Sequence, residues 1–189
     1  SNADFYRSAG VPADRLHAGA YFVDNAFFAS RADALDRAEA RTRFGIPEGA
    51  CCLLFAGKFE PKKRPFDLLS AVAALEAGLR QRVHLLMVGA GELADSLKQQ
   101  AIGLPATWTG FLNQTGIPAA YRAADVLVLP SDHGETWGLV VNEAMACGVP
   151  AIVGDQVGCA DDLVVDGETG WVFPTGDVAR LRGAIEQAV

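Results

Sequence analysis

The sequence predicts an α/β fold, a doubly wound parallel sheet with helices on both faces, and three observations carry that prediction. Continuous apolar runs such as Cys51-Cys-Leu-Leu-Phe-Ala56 and Val83-His-Leu-Leu-Met-Val88 read as strands buried on both faces, since a strand with one wet face would alternate apolar and polar residues. Amphipathic stretches of about ten residues separate these runs, as crossovers between parallel strands require. Finally, 189 residues at 50% hydrophobic supply one substantial core and would leave a second full domain cramped.

Taken in order, Ser1-Asn2-Ala3 reads as the remnant of a cleaved expression tag and is set apart from the fold. Residues 4–49 read as a leading, interdomain segment: a short helix ending at Gly10, an extended apolar stretch over 16–23, an exposed charged helix over 33–44, and a linker at Gly45-Ile-Pro-Glu-Gly49. Residues 50–189 form the doubly wound domain. Its first strand, 51–56, is followed by a helix over 66–79 with Phe66, Leu69, Val72, Ala73 and Leu79 on its inward stripe and Pro65 at its start. A second strand, 83–88, leads to a helix over 92–101, and a third strand occupies 106–109. An amphipathic helix over 115–124 turns Ile117, Tyr121 and Ala124 inward, and a strand follows at 125–129. A glycine-bounded helix of about three turns precedes a strand at 149–153. After a loop and short helix near Asp161 and Asp162, residues 170–173 form a last strand, and Asp177 caps a final helix with Val178, Leu181 and Ile185 inward. That helix reaches Val189 with neither glycine nor proline to stop it, which suggests a truncated end.

The chemistry concentrates in Ser131-Asp-His-Gly-Glu135-Thr-Trp-Gly138-Leu139-Val-Val-Asn-Glu143. Glu135 falls before the helix, whereas Glu143 falls inside it among Val140, Val141, Ala144, Met145 and Ala146, where a carboxylate needs a partner. Spacing alone leaves two readings open. In one, Glu135 caps the helix and Glu143 is half exposed. In the other, an anion settles at the helix N-terminus while Gly134 and Gly138 allow close backbone approach.

A second constellation follows the first strand. In Gly57-Lys58-Phe-Glu-Pro-Lys62-Lys63-Arg64, four of the sixteen Lys and Arg lie within seven residues of an otherwise acidic chain. A basic loop leaving the carboxyl end of a buried strand suits a phosphate site, and a solvated charge run is the alternative. Gly89-Ala-Gly91-Glu-Leu-Ala94 has the G-x-G-x-x-A form of a dinucleotide loop. The third strand, however, ends in Gly110-Phe111 and not in the acid that would hold an adenosine ribose.

The Glu135-x7-Glu143 pair, followed by Ala-Met-Ala-Cys-Gly-Val-Pro150, resembles the carboxyl-terminal signature of the retaining glycosyltransferases of family four, the glycosyltransferase group 1 enzymes of two-domain GT-B fold. The likeness runs from about Tyr21 to the end. It departs at Thr136-Trp137, where the family has Pro-Phe, a change that touches the shape of the sugar pocket.

The resemblance implies a Rossmann-like donor-binding half for residues 50–189, with the amino-terminal acceptor domain absent. Its expected ligand is a nucleotide-diphosphate-sugar. Lys58 and Lys63 would take the places of the basic pair on the diphosphate, Glu143 would meet the ribose, and Glu135 the sugar. Gly57, Gly134, Gly138 and Leu139 would line the site, and Asp161 or Asp162 would stand where the family often has a Glu; the equal alternative is that these two only cap the short helix there. Catalytic roles would fall to Glu135, Lys58 and Lys63. The acceptor, whether saccharide, lipid or small molecule, is left open. Two rivals stand beside this reading: a sugar-nucleotide epimerase of similar fold and a noncatalytic doubly wound regulatory domain.

Composition narrows the field further. A net charge of −7 and a pI near 4.9 argue against nonspecific nucleic-acid binding, which needs a broad basic face. Cys51, Cys52, Cys147 and Cys159 form no C-x-x-C pair and read as reduced core thiols. With no D-x-D, no metal or other cofactor is expected. The lone His17 and the strand residue His84 read as structural. No apolar run reaches the ~18 residues of a spanning helix, so the expectation is a cytoplasmic protein, with peripheral membrane contact through the absent domain left open.

Overall fold

The computed structural model describes residues 2–17, 19 and 21–189. Six parallel strands, β1 (Cys51–Ala56), β2 (Val83–Val88), β3 (Ala106–Gly110), β4 (Val126–Leu129), β5 (Ala151–Gly154) and β6 (Gly170–Phe173), form one sheet in the order β3-β2-β1-β4-β5-β6. The chain therefore builds outward from β1 through β2 to β3, then returns to lay β4 on the other side of β1. That reversal opens a crevice at the carboxyl ends of β1 and β4, where doubly wound sheets bind ligands.

In chain order the helices are α1 (Asn2–Ser8), α2 (Asn25–Asp33), α3 (Arg37–Arg43), α4 (Pro65–Ala73), α5 (Ala77–Arg80), α6 (Ala94–Gln100), α7 (Ile117–Ala123), α8 (Leu139–Ala146), α9 (Ala160–Leu163) and α10 (Val178–Ala188). Two apolar cores show why the strands carry no polar face. Cys52, Leu54 and Ala56 pack with Phe28 of α2, Ala40 of α3, Tyr121 of α7 and Val141 of α8. The alternate residues, Leu53 and Phe55, pack on the opposite side with Leu68 and Leu69 of α4, Leu97 of α6 and Leu181 of α10. Both sides of each central strand are thus covered, as the unbroken apolar runs predicted.

Several boundaries differ from the sequence expectation. The helix expected over 66–79 is two, because the chain turns at Ala74 and buries Leu75 before α5 begins. Its stripe is also rotated: Leu68, Leu69 and Val72 are buried, while Ala73 is exposed. The site helix α8 spans eight residues, a little over two turns rather than three.

Within the expected leading segment, α2 starts at Asp24, whose carboxylate accepts from Phe27 N at 2.9 Å, and α3 starts at Asp36, which caps Glu39 N at 2.9 Å. Phe28, Ala40, Phe44 and Ile46 join the core of the sheet domain. Residues 25–46 are therefore part of its packing, including Ile46 of the expected linker. The exposed helix expected over 33–44 is shortened to α3, Arg37–Arg43, and α2, Asn25–Asp33, is an additional helix before it. The expected extended stretch 16–23 is described at 16, 17, 19 and 21–23, where the backbone is neither helix nor strand; Ala18 and Ala20, like Ser1 of the expected tag remnant, lie outside the described residues.

Candidate functional site

An open cavity of about 570 Å³ lies over the carboxyl ends of β1, β2 and β3, between α7 and α8. Gly57 and Lys58 enter from β1, Gly89 and Ala90 from β2, and Phe111 and Leu112 after β3, while α7 supplies Tyr121 and α8 supplies Val140 and Glu143. The walls are mostly apolar, and the two charged groups lining them are Lys58 and Glu143. Such a lining suits a flat or partly apolar ligand fixed by a few polar groups.

Glu143 has found the partner its apolar neighbourhood demanded. The Tyr121 hydroxyl donates to Glu143 Oε2 at 2.6 Å. Burial pushes the Glu143 carboxyl above its ordinary value, and the tyrosine hydrogen bond acts against that rise. Burial beside the Glu143 carboxylate likewise drives the Tyr121 phenol far above its ordinary value, so it remains a donor. Tyr121 is buried, as its inward place on the helical stripe predicts, and its hydroxyl serves the site as well. The missed signal was its position one turn into a helix whose neighbour carries an interior carboxylate.

The other carboxylate does something different. Lys63 Nζ forms an ion pair with Glu135 Oε2, both side chains being about 15% exposed, and the buried Ser131 hydroxyl lies 3.5 Å from the same oxygen. Glu135 is not the helix cap: the N-cap of α8 is Gly138, which makes no side-chain bond and stands at φ +95°, a conformation that favours glycine. A side chain at Gly138 would also press within 2.9 Å of Leu129 Cδ2, so the residue is held to glycine twice over. Leu139 is exposed at the start of the helix, and Gly134 lies against the Lys62 side chain.

The predicted residues therefore gather in two neighbouring groups. Gly57, Lys58 and Glu143 line the cavity, and Lys63 and Glu135 form the ion pair. Lys63 links them, because its methylenes pass within 3.8 Å of where a Cβ on Gly57 would sit. Asp161 and Asp162 are exposed in the first turn of α9, whose N-cap is Cys159, so neither caps that helix. Trp137 turns its indole nitrogen to Asn142 Oδ1 at 2.8 Å, and Tyr21 stacks on its ring with centroids 5.0 Å apart.

The G-x-G of Gly89 and Gly91 has a packing explanation. A Cβ on Gly89 would fall 1.9 Å from the Gly57 carbonyl oxygen, and one on Gly91 would fall 2.4 Å from that of Phe59. The loop after β1 crosses directly over these glycines, with Gly57 N donating to Val88 O and Phe59 N to Ala90 O, each at 3.0 Å. Close backbone approach, rather than a dinucleotide, accounts for the pattern.

Another cavity, of about 630 Å³, opens at the amino ends of the strands among Arg37, Arg41 and Asp125. There Asp125 accepts from Arg37 at 2.6 Å, Arg41 at 3.0 Å and Cys52 N at 2.7 Å. These charges serve one another and tie α3 to the sheet. Among the described residues no group of three or more His, Cys, Asp and Glu is placed to hold a metal ion, and no helix is long and apolar enough to cross a membrane.

Comparison with known proteins yields a family model, glycosyl transferases group 1, that matches residues 36–189. A D-inositol 3-phosphate glycosyltransferase of Saccharomonospora viridis is 41% identical over 161 residues, 79% of this chain and 37% of that protein. Its counterpart in Thermomonospora curvata is 36% identical over 190 residues, 93% of this chain and 44% of that protein. The chain thus spans less than half the length of these curated relatives. Among solved structures, WaaG, a glycosyltransferase involved in lipopolysaccharide biosynthesis, superposes with a TM-score of 0.81 at 22% identity, over 99% of this chain and 50% of that one. HepE of Anabaena, solved in complex with UDP, gives 0.80 at 23%, over 96% and 50%. At these identities the structures speak for the fold.

Proposed function

The chain belongs to the group 1 glycosyltransferases, and from that premise we propose that it is the donor-binding domain of a retaining enzyme of GT-B fold. The observation that carries this reading is the cavity over the carboxyl ends of β1 and β2, mostly apolar and charged at Lys58 and Glu143, with the Lys63–Glu135 pair at its side. A nucleoside diphosphate fits that distribution. Its ribose hydroxyls donate to Glu143, and its diphosphate lies toward Lys58 and Lys63. The sugar then reaches Glu135. Two structures of one protein of similar fold support the ligand class, HepE having been solved both with UDP and with UDP-glucose.

The chemistry this arrangement performs is glycosyl transfer. The bond from the anomeric carbon to the diphosphate oxygen breaks, the electron pair leaves with the diphosphate, and an acceptor hydroxyl bonds to the same carbon with loss of its proton. Negative charge grows on the leaving diphosphate, where Lys58 and Lys63 stabilise it more in the transition state than in the ground state. In this reading the ammonium groups supply that neutralisation, with no metal called upon. We place the acceptor site on the portion of the relatives that this chain does not span, and the protein in the cytoplasm, in keeping with its four free thiols. The reported relatives are glycosyltransferases, which is the class of neither rival, epimerase or regulatory domain.

Differential scanning fluorimetry against UDP, GDP, ADP and inorganic phosphate tests the reading. At a hundred times its Kd a nucleotide adds about 2.7 kcal/mol of stability. At least one nucleoside diphosphate is expected to raise Tm by several degrees while phosphate does not. No response to any of the three nucleotides would overturn the proposal.

A further inference from the structure

We propose that Tyr121 is the positioning residue for Glu143, its sealed phenol holding one carboxylate oxygen so that the other is presented to a ligand in the cavity. The inference deepens the donor-site reading and rests on it for the identity of that ligand. Four observations carry it. Tyr121 is fully buried, so its hydroxyl has no bulk water as a competing partner. The phenol donates to Glu143 Oε2 at 2.6 Å, a short charge-assisted bond. Both residues line the cavity although they come from different helices, so the bond fixes α8 relative to α7 at the point where the ligand sits. The ring is itself held, edge-on to Phe28 with centroids 6.3 Å apart, which gives the hydroxyl one position.

A glutamate side chain has three rotatable bonds, and in an apolar wall it gains by folding back or by taking a proton. Tyr121 opposes both. It offers hydrogen-bond donation to the ionised form in a fixed direction, and its own proton is not lost because burial beside the carboxylate disfavours the phenolate. The groups that face Glu143 are Tyr121 from α7, Lys58 across the cavity and Cys147 along α8, with Asp33 of α2 beyond Cys147. Of these, Tyr121 is the one joined to it by a hydrogen bond. A purely structural tyrosine would stabilise the core and leave Glu143 indifferent to its hydroxyl.

Tyr121→Phe keeps the ring and removes the hydroxyl, so the test has two readouts. In the ligand-free protein, ¹³C NMR of labelled glutamate carboxyls follows Glu143 directly, assigned by its loss in Glu143→Gln. The expected result is a midpoint displaced to higher pH in Tyr121→Phe. Calorimetry with UDP, or with whichever nucleoside diphosphate binds, is expected to show about tenfold weaker affinity at neutral pH, the scale of one hydrogen bond to a charged group. In a Glu143→Gln background the same tyrosine change should leave affinity unaltered, since the group through which it acts is gone. An unmoved Glu143 midpoint, or an equal loss of affinity in both backgrounds, would overturn the proposal. Absence of nucleotide binding in the wild type, with the midpoint still displaced, would defeat the donor-site reading and leave the positioning role standing.

Discussion

Replacing Lys63 with Ala strikes the junction between the two halves of the site, and its cost follows from burial. An exposed ion pair contributes about 0.2–1 kcal/mol, whereas breaking a fully buried one costs about 3–5 kcal/mol by stranding the remaining charge. Lys63 and Glu135 are each about 15% exposed, near the buried limit but still in touch with solvent. Loss of Lys63 should therefore cost about 1–3 kcal/mol, a fall in Tm of about 2–12 °C for a domain of this length. Most of that cost is the stranded Glu135 carboxylate, so the double change Lys63→Ala with Glu135→Gln should be more stable than Lys63→Ala alone. Affinity for UDP, or for whichever nucleoside diphosphate binds, behaves otherwise. It should drop about 10–150-fold in both, equivalent to about 1.5–3 kcal/mol for a lost hydrogen bond to a charged group. Chemical denaturation and titration calorimetry on the wild type and the two variants read both quantities. Strictly additive destabilisation, or unchanged nucleotide affinity in Lys63→Ala, would refute the assignment.

Three further outcomes are expected. Glu143→Gln should weaken binding of free nucleotide, whereas Glu135→Gln should leave it nearly unchanged, because Glu135 faces the sugar and its loss frees Lys63; equal losses in calorimetry would contradict this division. Because burial raises the Glu143 carboxyl in the folded state above its ordinary value of 4.5, the native protein binds that proton more tightly than the unfolded chain. Its contribution to stability is therefore full at low pH and declines as pH rises from about 4.5 through the raised native value. Nucleotide affinity should run the opposite way, falling as pH drops through that value, and Glu143→Gln should flatten both profiles. The thiols are pushed up by burial, Cys51 and Cys147 to about 11 and Cys52 and Cys159 to about 12. Alkylation by iodoacetamide at pH 8 should consequently be slow in the folded protein and fast in denaturant, and rapid native labelling of any one of the four would count against this environment.

The sheet was legible because burial on both faces writes itself as uninterrupted apolar residues, and all six strands lie where such runs or their turn signals stand. The ends of elements were less so. Nothing local says that the chain turns at Ala74 to bury Leu75, a choice made by the contact of α4 with the second core. Helix α2 escaped notice because its burial rests largely on Phe28 and Ala32, too few apolar positions to make a stripe, although Asp24 stood ready as its cap. At the site, the charged residues announced themselves by standing in apolar or crowded places. Their partners did not. Tyr121 meets Glu143 across 22 positions and Lys63 meets Glu135 across 72, and pairings of that separation exist only once the sheet has brought α7, α8 and the loop after β1 together. Gly89 and Gly91 invited a nucleotide motif for a related reason, since close approach to another backbone and close approach to a phosphate both ask for glycine.

Whether the nucleoside diphosphate sits over the carboxyl ends of β1 and β2 is read out by mapping amide chemical shifts during a titration with UDP or with the diphosphate that binds best. Saturable shifts are expected on Gly57, Lys58, Gly89, Ala90 and the first turn of α8, together with their loss in Glu143→Gln. Shifts clustered instead around Arg37, Arg41 and Asp125, at the opposite ends of the strands, would contradict that placement.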